Sequence, residues 1–348
     1  MVNSLPLLEG DKQMSENTPM ISTQNLTMRF EVKAGLFSPR KHITAVDNVN
    51  IAIYEGENVA LVGESGCGKS TLGRLTLGLL KPTEGSVFYY GKNIWQMSKE
   101  EFRDFRKSAQ IIHQNPYNAI NPMRKIADTL LPPILKYKIA KNRDEAWEKA
   151  KELLCMVGLS PPEDFLNRYP ARMSGGQMQR ILIARALSVN PKYILADEAV
   201  SMLDASLRIG VVDLLLDLQK KFKVSYLFVT HDFGIARYFV AKGGGRVMVM
   251  YLGSIVEIGP GEEVIQNPIH PYTRTLISAI PIPDPVETRK RGIPPLRSLD
   301  IPSLTELPPG CKFSDRCPYA SEVCMKKHPE LKEVNGRLVA CHKAEEFL

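Results

Sequence analysis

Gly63-Glu64-Ser65-Gly66-Cys67-Gly68-Lys69-Ser70-Thr71 reproduces the spacing G-x-x-x-x-G-K-[ST]. Ahead of it, Asn58-Val59-Ala60-Leu61-Val62 is a short apolar run suited to a buried strand. Behind it, Thr71 to Leu77 sets apolar residues at helical intervals. A phosphate-binding loop sits between a strand and a helix, so the context agrees with the motif. Glycines lack Cβ atoms, which lets consecutive backbone N–H groups curl around phosphate oxygens while the following helix adds its positive end. In that frame Lys69 reaches the β- and γ-phosphates and the Ser70 hydroxyl binds Mg2+. Residues 63–71 therefore read as an ATP site.

The chain has 348 residues, enough for a sizeable core and more than one domain. No stretch approaches the 18 uninterrupted apolar residues of a membrane span, and the N-terminus lacks a signal-peptide pattern. A cytosolic protein is expected. The net charge of +7 suits an anionic partner such as nucleotide, a membrane surface or nucleic acid, and equally a mixed solvated surface. Six cysteines in such a protein argue against a disulfide framework. There is one phosphate-binding loop and no internal repeat, which excludes two fused ATPase units.

Residues 1–20 lack periodicity and read as a loosely ordered tail. From Ile21 the pattern becomes strand-like, through Ile21 to Phe30, Thr44 to Val46 and Val49 to Tyr54, and predicts a small antiparallel sheet. Phe30 is the aromatic available there to stack on an adenine ring. Ser98-Lys99-Glu100-Glu101 has capping-box spacing. The segment from about 118 to 172 looks helical and interrupts an alternation of strands and helices that resumes at Tyr193. Such alternation predicts a largely parallel sheet flanked by helices, an α/β fold. Beyond Gly259 the composition changes, with 13 of the 25 prolines between Pro260 and Pro329. That predicts a stiff, irregular extension that docks or wraps.

Tyr193-Ile194-Leu195-Ala196-Asp197-Glu198 is an apolar strand ending in two carboxylates. In a phosphoryl-transfer site the first acid serves Mg2+ and the second polarises the attacking water. Ser174-Gly175-Gly176-Gln177 opens a helix closed by Asn190-Pro191, and is a second anion-binding device of the helix-N-terminus type.

At this point the chain resembles the ATP-binding-cassette (ABC) ATPases, whose signature motif this is, over roughly residues 21–258. The resemblance implies a P-loop NTPase with an N-terminal antiparallel β-subdomain and a helical insert at about 115–173. It further implies that Gln114 senses Mg2+, water and the permease. Asp204, in Ser201-Met202-Leu203-Asp204, would couple two subunits, and His231 would contact the γ-phosphate. In this family two subunits sandwich two ATP molecules, so Ser174, Gly175, Gly176 and Gln177 would serve nucleotide held by the opposite subunit.

Gln114-Asn115-Pro116-Tyr117, Tyr251 to Glu257, His270-Pro271-Tyr272-Thr273-Arg274 and Gly310 to Pro318 look like the oligopeptide/dipeptide importer ATPases. That resemblance implies two transmembrane permease subunits, a sibling ATPase subunit and, indirectly, an extracytoplasmic binding protein. The expected place is the cytoplasmic side of the membrane, as a peripheral protein. Peptides are the expected cargo, with oligosaccharides or nickel as alternatives. A soluble ABC ATPase acting on nucleic acid is a second class, opposed by the lack of a long heptad coiled coil. Asn115, Ala199, Met202 and Lys242 to Gly245 depart from the subfamily pattern, and none removes a catalytic group.

Cys311, Cys317, Cys324 and Cys341 are spaced C-x5-C, C-x6-C and C-x16-C, wider than the spacers of most zinc sites. Four thiolates could still share one centre, iron–sulfur or zinc. The subfamily resemblance favours a 4Fe-4S cluster.

Overall fold

The computed structural model describes residues 18–32, 41–280, 295–300, 302 and 307–348. The expected tail lies outside them except for its last three positions, as do residues 281–294 of the proline-dense stretch. The chain forms two compact units, one from Met1–Tyr54, Asn58–Trp95 and Thr230–Leu348, the other from Glu55–Glu57 and Gln96–Val229.

The first unit carries an antiparallel sheet in the order Lys41–Val49, Ile21–Val32, Glu84–Tyr89, Lys92–Asn93. The strand expected from Val49 to Tyr54 is only Ala52–Ile53, because Val49 already pairs with Leu26 as the end of the preceding strand. Beside this sheet, the fully buried strand Asn58–Val62 lies parallel to Arg246–Tyr251. An apolar run suits that place, since its side chains meet protein on both faces. Arg246–Tyr251 turns back into Ser254–Pro260, which pairs with Arg337–Val339 and through it with Lys332–Val334.

The C-terminal extension is more regular than its proline content suggested. It holds helices Gly261–Gln266, Pro271–Ser278 and Glu322–Lys326 besides that hairpin. Pro271 occupies the first helical turn, where its missing N–H costs nothing. Asn335 and Gly336 both take positive φ, 48° and 70°, the pair a two-residue type I′ hairpin demands.

A buried carboxylate ties the extension down. Glu257, 0% exposed, accepts the backbone N–H groups of Ile269 and His270 at 3.0 Å each, with Arg337 at 3.5 Å. Burial raises its pKa against the pull of those donors. Arg337 also donates to the carbonyls of Asn267 and Glu263, holding the hairpin against the helix Gly261–Gln266. His270 caps the next helix, its Nδ1 accepting the Tyr272 N–H at 3.0 Å.

In the second unit three parallel strands, Ala109–Ile112, Tyr193–Asp197 and Ser225–Thr230, stand in register. The helix Ala205–Phe222 joins the second of these strands to the third. The helical segment is broken into Pro116–Ala119, Ala127–Lys136, Arg143–Met156 and Pro162–Asn167, with prolines opening the first and last. Ser98 and Glu101 form the expected capping box.

Burial pushes the His270 pKa down to about 3 from 6.5, so the folded chain keeps this ring neutral. Between those values the unfolded chain binds a proton that the folded one does not. Stability is therefore lost as pH falls below 6.5, by up to about 1.4 kcal/mol per unit. His270→Asn keeps a capping acceptor and takes up no proton, so urea midpoints measured from pH 4.5 to 7.5 are expected to fall less steeply for the variant than for the parent. Equal slopes would contradict this.

Candidate nucleotide-binding and hydrolysis site

In the first unit, the loop after Asn58–Val62 has the curl expected of an anion cradle. Gly63 and Gly68 sit at φ 158° and 106°, and a Cβ on Gly68 would fall 1.9 Å from the Ala45 carbonyl oxygen. Only glycine fits that close approach. The helix Lys69–Thr76 starts at once, with Gly68 as its N-cap. Lys69 is 3% exposed, and its ammonium donates to the carbonyls of Gly63 and Glu64 at 2.8 Å each. The cation thus lies folded back across the mouth of its own loop, where phosphate oxygens would meet it. Cys67 is buried in the loop, and desolvation raises its thiol pKa although Lys69 pulls the other way.

His231 is exposed just ahead of the helix Phe233–Gly243. Asp232 fixes that corner, accepting the N–H groups of Gly234 and Ile235 at 2.9 and 3.1 Å. Phe30 lies half exposed on the strand Ile21–Val32, opposite Ile43.

In the second unit Asp197 ends its strand buried, and Glu198 follows with φ 48°. A left-handed glutamate is costly, and it is held here by its N–H on Val229 O at 3.0 Å and by Ser201, whose N–H and hydroxyl both donate to its carbonyl. Gln114 Nε2 donates to Glu198 Oε2 at 2.9 Å, so two of the expected catalytic residues meet directly although 84 positions apart. Gln179, buried in the helix Gly175–Leu187, donates to His113 O next to Gln114, and Arg185 of the same helix donates to Ala119 O.

Ser174 caps that helix. Its hydroxyl accepts the Gln177 N–H at 3.3 Å, and the Gln177 side chain accepts the Ser174 N–H at 3.1 Å. Gly175 and Gly176 form the first turn, where a Cβ on Gly176 would meet Leu207 at 3.3 Å. Asp204 is the N-cap position of Ala205–Phe222 and makes no side-chain cap bond there. Asn115, a departure from the subfamily pattern, caps the short helix Pro116–Ala119 by accepting the Tyr117 N–H at 2.9 Å.

Three positions escaped the sequence reading as contributors to the loop. The Tyr272 hydroxyl accepts the Glu64 N–H at 2.9 Å, Arg316 pairs with the Glu64 carboxylate, and Lys312 pairs with Asp47 at 2.8 Å. All three lie within quoted motifs, the two cations between Cys311 and Cys317, where attention went to sulfur.

Those cysteines converge. Cys311, Cys317, Cys324 and Cys341 line one cavity beside Phe313 and His270, and none is disulfide-bonded. Burial pushes the Cys311 thiol up to about 12 and the Cys341 thiol up to about 11, and raises Cys317 as well. Among the described residues no group of three or more histidine, cysteine or acidic side chains is placed to hold a metal ion, so neither the zinc nor the iron–sulfur expectation has a formed site. A tetrahedral zinc needs all its sulfurs about 2.3 Å from one point. Four thiols with no carboxylate among them, facing one cavity, are the donor set that an iron–sulfur cluster uses.

These features belong to a known class. Residues 46–201 match the family described as ABC transporter, and residues 256–324 match that described as oligopeptide/dipeptide transporter, C-terminal region. Over 69% of this chain and 98% of the other, the fold is similar to the dimeric post-hydrolysis structure of the ATP-binding cassette MJ0796 bound to ADP and Pi, at TM-score 0.60 and 31% identity. The chain belongs to the ABC transporter ATPases, α/β P-loop NTPases, in the branch that carries the oligopeptide/dipeptide C-terminal region. It is 41% identical over 331 residues to the di/tripeptide transport ATP-binding protein DppF of Pseudomonas aeruginosa, covering 94% of this chain and 99% of the relative. It is 42% identical over 329 residues to the oligopeptide transport ATP-binding protein OppF of Escherichia coli, covering 94% and 96%.

Gly68→Ala puts a side chain into the Ala45 carbonyl at a left-handed position. It is expected to lower the unfolding free energy by about 1–3 kcal/mol in urea titration. An unchanged midpoint would show that the loop yields there without cost.

Proposed function

We propose that this chain is the ATP-hydrolysing subunit of an importer of oligopeptides or dipeptides, peripheral to the cytoplasmic face of a membrane and docked on two permease subunits. The observation that carries the enzymatic half is the Gln114–Glu198 hydrogen bond, which holds a carboxylate ready for water in a chain that also bears a complete phosphate loop. The cargo follows from the relatives, whose names specify di/tripeptide and oligopeptide transport, rather than oligosaccharides, nickel or nucleic acid. Among the described residues no helix is long and apolar enough to cross a membrane.

MgATP is the substrate. The backbone of residues 63–68 and Lys69 bind the β- and γ-phosphates, Thr71 supports them from the first helical turn, and Phe30 stacks on adenine. Ser70, Asp197 and Gln114 would hold Mg2+, which would neutralise charge on the phosphate oxygens. Glu198 takes a proton from water as its oxygen attacks the γ-phosphorus and ADP leaves with the bridging oxygen. His231 orients the γ-phosphate. Ser174, Gly175, Gly176 and Gln177 act on nucleotide held by a sibling ATPase subunit, and Asp204 couples the two. The dimeric state of the similar MJ0796 cassette supports that arrangement. In domain terms the ATPase core occupies 21–258, its helical insert about 115–173, and the extension 259–348.

For the extension, we propose that Cys311, Cys317, Cys324 and Cys341 hold a 4Fe-4S cluster. Buried thiols with raised pKa values repel one another as anions, and a cationic centre supplies the charge that would let them ionise together. The cluster would act there as a structural staple. Protein purified without oxygen is expected to contain iron and sulfide and to absorb broadly in the visible. Colourless, iron-free protein would count against it.

Glu198→Gln is expected to keep MgATP binding while turnover by the assembled transporter falls by at least about a hundredfold. Turnover at the parent rate would remove Glu198 from the role of base.

A further inference from the structure

The extension reaches the nucleotide loop through a buried cation. Arg316 Nη1 lies 3.1 and 3.0 Å from the two carboxylate oxygens of Glu64, the second residue of the loop. Its side chain is 6% exposed, against 23% for Glu64. The guanidinium packs over the Tyr251 and Phe313 rings at 5.8 and 5.7 Å, which fixes its direction. Glu64 is held twice more, its N–H on the Tyr272 hydroxyl and its carbonyl under the Lys69 ammonium. Four residues earlier, Lys312, also 6% exposed, donates to the Leu252 carbonyl and pairs with Asp47. The adjoining Gly253 N–H donates to the Cys67 carbonyl within the loop. The segment from Cys311 to Cys317 therefore sends two buried cations to the loop and to the turn behind it.

The charges give this a functional sense. Glu64 carries a negative charge inside a loop whose ligand is a polyanion. Unpaired, that carboxylate would oppose every phosphate the loop attracts. A buried ion pair gains little net stability after desolvation, so folding alone gives weak reason to bury an arginine here. We propose that Arg316 is a positioning residue for nucleotide binding: it neutralises Glu64 and, through it, sets the backbone of the phosphate loop. This rests on the reading of residues 63–71 as the ATP site, and adds that the C-terminal extension governs that site's affinity.

The proposal separates from a merely structural role by a charge cycle in the full-length chain, with MgATP titrated calorimetrically at pH 7. Arg316→Gln strands the carboxylate and is expected to weaken binding by about tenfold or more. Glu64→Gln removes the repulsive charge, so the Glu64→Gln/Arg316→Gln double variant is expected to recover most of the lost affinity. Arg316→Lys, which keeps the charge, should lie between parent and Arg316→Gln. Circular dichroism melts of each variant show whether it has folded. Parent-like binding by Arg316→Gln, or a loss that the double variant does not relieve, would overturn the proposal. Should Arg316→Gln fail to fold, Glu64→Gln decides it: binding weaker than the parent by this variant would refute the electrostatic role. Absence of binding by the parent chain, with a normal melt, would remove the ATP reading itself and this inference with it.

Discussion

Everything downstream of the strand Asn58–Val62 depends on a backbone that turns where side chains cannot follow. Gly68 meets the Ala45 carbonyl so closely that no Cβ fits, and the helix Lys69–Thr76 begins without an intervening residue. That constraint aims N–H groups and a helix N-terminus at one small volume and turns the Lys69 ammonium onto the loop's own carbonyls. A buried ammonium held by two carbonyl oxygens and, at 3.8 Å, the Cys67 sulfur is poised for a stronger anionic partner. Charge left waiting in this way makes the loop a receptor for polyphosphate.

A comparable economy holds the hydrolytic carboxylate. Glu198 adopts a left-handed backbone that its residue type disfavours, and three hydrogen bonds from Ser201 and to Val229 compel it. The strain is local and its effect is directional: the side chain leaves the strand end to meet Gln114 instead of continuing the strand's alternation. Gln179 and Arg185 bind the signature helix to the segment around Gln114, so the turn Ser174–Gln177 and the glutamine are carried on one framework.

The sequence was most legible where chemistry demands a fixed spacing. The phosphate loop, the acidic strand end and the capping box at Ser98 all rest on local rules, and all appear in place. Long-range partnerships were not legible. Nothing local connects Arg316 with Glu64 across 252 positions, because the tie depends on how the extension folds back. Proline density was misleading for the same reason. It signals stiffness, yet Pro271 merely starts a helix and the Asn335-Gly336 pair closes a hairpin that the composition concealed. That pair was the local clue to a regular extension.

The account turns on whether residues 63–71 are a receptor for MgATP. Equilibrium titration of the purified chain with MgATP, run beside Lys69→Ala, tests this most directly. Saturable binding at one site per chain that disappears in the variant is the predicted result. Either no binding by the folded parent or undiminished binding without the lysine would contradict it.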